Sequence, residues 1–161
     1  MSTLIPNTEK VARILAKNWI VDGTILQMAF TLRDKETYIS VNRPAVASFD
    51  LDVKSFVETH PDFYADESKK KYSRALLNVG EIRATKVLFS GLTLNINVEV
   101  EPRDIFTKSH AGIFTRHNNQ NVKNGDTLYI KSLDDNISAD EVLLEVRSRL
   151  IDLAKLEYCT I

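Results

Sequence analysis

One cysteine, five glycines and almost no net charge are what this 161-residue chain has little of, and each scarcity removes a class of function. Cys159 stands alone, which forbids an internal disulfide and a thiolate metal cluster within one chain and fits a reducing compartment. With so little glycine no loop obviously cradles phosphate, and GxxxxGKS/T, GxGxxG, HExxH and GxSxG are all missing, so the common nucleotide-binding and hydrolase readings lose their support. Lys and Arg number 21 against 22 Asp and Glu, a net charge of -1, so no whole-protein field draws in nucleic acid or an acidic membrane. Nor is there a run of about 18 apolar residues such as a membrane span requires. The opening MSTLIPNTEK has neither a basic start nor a long apolar stretch, and a cytoplasmic protein with no membrane association is the expectation.

What is present is an average globular composition, 43% hydrophobic and 27% charged, on a length that suits one domain over 1–161. The spacing in SADEVLLEVRSRLIDLAKLEY predicts an amphipathic helix: Val142, Val146, Leu150 and Leu153 fall on one face, and Ser138 with Glu141 reads as a capping box. LTLNINVEV alternates strictly and predicts a strand with one buried face, entered from IRATKVLF through a tight turn at Ser90-Gly91, with Glu81 and Arg83 as a surface pair. ILQMAFTL alternates too and follows the turn signal Asp22-Gly23. Before it, TEKVARILAKNWIV predicts a helix to about Lys17 and then a short strand. TYISVNR reads as a strand, SFDLDVKSFVETHP as a helix with Phe49, Val53, Phe56 and Val57 on its core side, and Tyr72 to Val79 as a strand after an exposed loop over 62–71. Together these give an α+β fold: a mostly antiparallel sheet with hairpins, packed by two or three helices including the C-terminal amphipathic one.

KSHAGIFTRHNNQNVKNGD, residues 108–126, gathers two of the three histidines and the densest run of amides, in the part of the chain that leans basic. His110 is the strongest candidate for a general acid or base, with Ser109 and Arg116 able to hold an anion beside it and His117 assisting. If the segment is a strand, the odd separation of the two histidines sets them on opposite faces, so converging them needs a bend. Asp104 or Asp126 could add a carboxylate, but zinc needs three or four ligands and nothing in the spacing demands a metal; no metal and no cofactor is expected. Arg116, Lys123, Asn118 and Asn119 could contact phosphate and base edges, with Lys71 and Arg74 of KKKYSR as a second basic patch. The plainer readings are a half-buried strand-end histidine and a long polar hairpin loop.

Taken in order, DGTILQMAFTL, ISVNR, NVGEIRA and HAGI resemble a pattern found in short uncharacterised bacterial proteins, spanning roughly residues 18–117. The resemblance implies a bacterial origin and draws attention to His110; it carries no activity. Missing cofactor motifs, balanced charge and an acidic amphipathic final helix suited to docking favour a non-enzymatic interaction protein whose partner is another protein, one encoded nearby being a candidate. An enzyme acting on a nucleotide or RNA through His110 is the alternative, and a nucleic-acid-binding module the third.

Overall fold

Alternating apolar residues build one seven-stranded antiparallel sheet in the computed structural model, which describes residues 4–103 and 107–161. Its strands are β1 (Lys10–Leu15), β2 (Tyr38–Asn42), β3 (Lys71–Asn78), β4 (Ile96–Pro102), β5 (His110–His117), β6 (Gln120–Asn121) and β7 (Lys155–Thr160). Across the sheet they run β4, β5, β2, β1, β3, β7, with β6 beside the far end of β5 where β2 has stopped. Four helices accompany them among the described residues: α1 (Phe49–Thr59), α2 (Pro61–Tyr64), α3 (Val79–Arg83) and α4 (Ala139–Leu153). The α+β expectation with a mostly antiparallel sheet holds.

Period two assigns each strand's side chains to one of two layers. Val11, Leu15, Val41, Leu77, Val98, Val100 and Ile113 join Val142, Val146 and Leu150 of α4 and Val79 and Ile82 of α3 in the main core. On the opposite face α1 lays Phe49, Val53 and Val57 over Ala12, Ile14 and Tyr72. This second cover is short. Beyond α1, over β2, β5 and β4, the sheet is roofed by its own side chains: the Tyr38 ring lies over Gly112 and 5.1 Å from Phe114, with Arg103 5.0 Å above Tyr38 and Arg116 4.6 Å above Phe114.

Four expected elements are corrected. Residues 8–17 do not form a helix: Lys10–Leu15 is a central strand paired with β2 and β3. Its apolar residues are buried on both faces, so Val11, Ile14 and Leu15 imitate the spacing of a helix stripe. Of ILQMAFTL only Ile25 is in a strand, at the end of Thr24–Ile25; Gln27–Phe30 makes a 3-10 turn that buries Ala29 and Phe30 and leaves Met28 outside. Glu81 and Arg83 belong to α3, not to a strand, and Leu88–Phe89 pairs with Leu92–Thr93 alone. The final helix ends at Leu153, and the chain turns at Ala154 into β7. Ser138 caps α4 as expected but accepts from Asp140 N rather than from the third N–H. Tight turns form where the sequence places them, at Asp22-Gly23 and Ser90-Gly91, all four residues with positive φ.

Candidate functional site

Residues 110–121 fold as β5, a two-residue turn and β6, and this decides where the candidates of KSHAGIFTRHNNQNVKNGD go. Asn118 and Asn119 have φ of 50° and 63° and make the turn, a role amide side chains support. His110 and Arg116 lie on the face away from the main core, whereas His117 lies on the other, roughly 23 Å along the strand at about 3.3 Å per residue. Arg116 is committed to Glu101 through a bidentate pair, 2.7 Å at each contact, and to Asn121 Oδ1 at 3.0 Å. Its guanidinium holds the Glu101 carboxyl below the usual range. Ser109 is fully buried; its hydroxyl donates to Asp52 Oδ2 at 2.6 Å and accepts from Asn42 at 2.9 Å, tying α1 to the sheet. Lys123 is exposed in the turn that follows β6. Of the four residues expected to converge for nucleotide or RNA chemistry, His110, Arg116 and His117 therefore stand in three separate surroundings, and Ser109 reaches His110's surroundings only through Asp52 and Asn42. Asp104 lies outside the described residues, and among the described residues no three His, Cys, Asp or Glu side chains gather as a metal site would require.

His110 does reach a cavity. A solvent-connected cleft of about 290 Å³ lies between α1, α2 and the strands β1 and β2, where β1 and β2 share a single bridge, Ala12 with Asn42. Arg13 spans the gap they leave, donating from Nε to the Ala29 carbonyl at 3.0 Å and from Nη1 to the Ser40 carbonyl at 2.9 Å. Burial lowers its pKa to about 10, so it stays cationic at neutral pH. At the opposite wall His110 Nδ1 is 2.8 Å from the Arg103 carbonyl. A carbonyl only accepts, so Nδ1 carries the proton and Nε2, 3.2 Å from Ser40 Oγ, is the acceptor in the neutral ring. Burial first, and the Arg103 charge after it, push this imidazole below its ordinary value against the opposing hydrogen bond. Asp52 is pushed up by burial, but hydrogen bonds from Ser109, Ser48 and Thr107 outweigh that and hold it down as a carboxylate. Aromatic rings of Tyr38, Phe56 and Tyr64 close the space.

The two edges of the sheet differ in a way the sequence did not announce. Arg103 N donates to the His110 carbonyl, so along β4 the alternate residues Ile96, Val98, Val100 and Pro102 turn their backbone groups outward. That edge is obstructed at one end: α3 brings Arg83 Nη2 to the Val100 carbonyl at 3.0 Å, Glu99 Oε1 accepts from Val100 N at 2.8 Å, and Pro102 has no N–H. Arg83 is itself anchored by Glu99 and the Ile5 carbonyl.

At the other edge Ile161 N donates to the Lys70 carbonyl at 2.8 Å, and the same counting by two turns Lys155, Glu157 and Cys159 inward to β3. Leu156, Tyr158 and Thr160 then present N–H and C=O outward, and among the described residues nothing pairs with them. Tyr158 is 65% exposed. Lys71, a sequence candidate, stands opposite Thr160 at one end of this edge; Arg74, another, is bound to Glu157 at 2.9 Å and lies 5.8 Å from the Phe49 ring. The edge is hidden in the sequence because KLEY continues the pattern of the last helix; the signal available is Tyr158, Thr160 and Ile161, strand-favouring types clustered where the helical stripe runs out. Among the described residues no helix is long and apolar enough to cross a membrane. No family model, curated protein or solved structure matches this chain.

Proposed function

We propose that the protein is a non-enzymatic interaction module that binds a partner protein by accepting an extended, acidic segment of it as an added strand on β7. The observation that carries this reading is the asymmetry of the sheet: one edge is capped at Val100 by side-chain bonds and ends at a proline, and the other presents Leu156, Tyr158 and Thr160 with no backbone partner among the described residues. A bare, regular edge is a template for a further strand. The α4 helix is not the docking element, because Val142, Leu143, Val146 and Leu150 are used inside the domain.

Leu156, Tyr158 and Thr160 offer six outward backbone groups. At about 0.5–1.5 kcal/mol net each they supply roughly 3–9 kcal/mol, which ordering six partner residues at about 1–2 kcal/mol each, roughly 6–12 kcal/mol in all, more than offsets. Side chains must supply the rest, and this sets the partner's chemistry. Lys155 begins the strand, Lys69 to Lys71 lie beside its end, and among the described residues none of these ammonium groups is in an ion pair, while Glu157 is neutralised by Arg74. A second copy would bring the same positive edge against itself; a strand with carboxylates near its ends and an apolar or aromatic residue facing Tyr158 complements it.

The test is a photo-crosslink. Benzoylphenylalanine placed at the exposed Thr160 should trap one partner, and adding Tyr158→Pro, which deletes an outward N–H without touching the ladder to β3, should abolish the capture while leaving the circular dichroism spectrum and unfolding midpoint nearly unchanged. A partner captured equally well by a folded Tyr158→Pro protein would sink the proposal.

A further inference from the structure

The cavity under α1 is separate from the β7 edge and carries an inference of its own. From its lining we propose that it binds a small planar aromatic carboxylate, with Arg13 as the anion-binding residue and Tyr38, Phe56 and Tyr64 as the walls that take the ring.

Charge decides the ligand's sign. Of the two charged groups in the cavity, Asp52 is already surrounded: Ser48 and Ser109 hydroxyls donate to Oδ2 at 2.8 and 2.6 Å, and Ser109 N does so at 3.1 Å. A guanidinium has five N–H donors, and Arg13 spends two on main-chain carbonyls, leaving three. Those two bonds fix the plane of the guanidinium, so a carboxylate meets a preorganised fork rather than a mobile side chain. The geometry of the gap explains why the fork is there: β1 and β2 separate after one bridge, and Arg13 of β1 bonds across the opening to the Ser40 carbonyl of β2 and to the Ala29 carbonyl of the 3-10 turn.

Size and walls decide the rest. A cavity of about 150 Å³ holds benzene, so 290 Å³ suits one substituted ring or a compact bicycle. Phe56 and Tyr64 stand with ring centroids 4.7 Å apart at one wall, Ile14 adds apolar surface, and the Ser40 hydroxyl oxygen, which donates to His110 Nε2, gives a polar spot that can accept from a ring substituent. This is the usual composition of a ligand site, apolar walls with a few convergent polar groups.

The reporter is built in. Trp19 is the sole tryptophan, and the Arg13 guanidinium carbon lies 5.1 Å from its ring centroid, so loading of Arg13 should change its emission. Titration of the whole protein with benzoate, followed by Trp19 fluorescence and by calorimetry, should give a saturable response with a Kd near or below about 1 mM, the range open to a ligand of this size. Benzamide, the neutral isostere, should bind at least tenfold more weakly. Arg13→Met should lose the response; because Arg13 also supports the strand gap, Phe56→Glu is the second variant, at a residue 43% exposed, and should weaken benzoate at least tenfold while the protein stays folded. Benzamide binding as tightly as benzoate, a folded Phe56→Glu protein binding normally, or no saturable response to benzoate in the wild type would each overturn the assignment.

Discussion

Gly112→Ala is the substitution whose effect the packing fixes most sharply. The residue sits mid-strand in β5, where alanine would ordinarily stabilise, since glycine loses roughly 0.5–1 kcal/mol of conformational entropy relative to it. Here the added Cβ would stand 2.6 Å from Tyr38 Cδ2, 2.9 Å from Tyr38 Cγ and 3.0 Å from Phe114 Cε2. The first two atoms belong to the base of a ring that cannot swing away freely, because it is held between Arg103 at 5.0 Å, His110 at 6.0 Å and Phe114 at 5.1 Å. Overpacking of this kind costs about 1–3 kcal/mol, which exceeds the entropic gain, so the net change is a loss of about 1–2 kcal/mol. For a chain of this length that lowers Tm by roughly 2–8 °C. Urea unfolding of wild type, Gly112→Ala, Tyr38→Ala and the double variant separates the causes. The alanine at 112 should destabilise the wild type but be neutral or stabilising once Tyr38 is truncated. A Gly112→Ala protein as stable as wild type, or a cost unchanged in the Tyr38→Ala background, refutes the packing argument.

Leu150 is fully buried in the main core, so Leu150→Ala should cost about 2–5 kcal/mol in chemical denaturation, whereas Leu144→Ala, on the exposed side of α4, should cost under about 1 kcal/mol. His110 is held below its ordinary value, so over the window from that lowered pKa to about 6.5 the unfolded chain binds more protons than the folded one. Stability should therefore rise with pH through that window and fall as the solution is acidified from about 6.5. The slope of urea midpoint against pH should shrink in His110→Asn, and a wild-type slope that is flat or of opposite sign there contradicts the desolvated imidazole.

The antiparallel sheet was legible where one face of a strand is wet. LTLNINVEV shows its alternation because Asn97 and Glu99 look away from the core, and the turns at Asp22-Gly23 and Ser90-Gly91 are local events that residue type controls. β1 was illegible for the opposite reason. Packed between α1 and the main core, it buries Val11 and Leu15 on one face and Ala12 and Ile14 on the other, and erases the period that would mark it. β7 was lost because Leu156 follows Leu153 at helical spacing and no glycine or proline stands between α4 and the strand.

The candidate site shows the same division. His110 could be singled out by residue type, and it does line the cavity. Its neighbours there, Arg13, Asp52 and Tyr64, come from 97, 58 and 46 positions away in the sequence and could not be foreseen from local pattern. Ser109 and Arg116, near His110 in sequence, face other partners.

The central claim is that the bare edge of β7 is a binding surface, and amide hydrogen exchange tests it most directly. In the isolated protein Lys155, Glu157 and Cys159 should be protected by their bonds to β3, while Leu156, Tyr158 and Thr160 exchange fast. With the crosslinked partner added back in purified form, the three outward amides should slow sharply while the inward three change little. A partner that binds and leaves the amides of Leu156, Tyr158 and Thr160 exchanging as in the free protein would contradict strand addition.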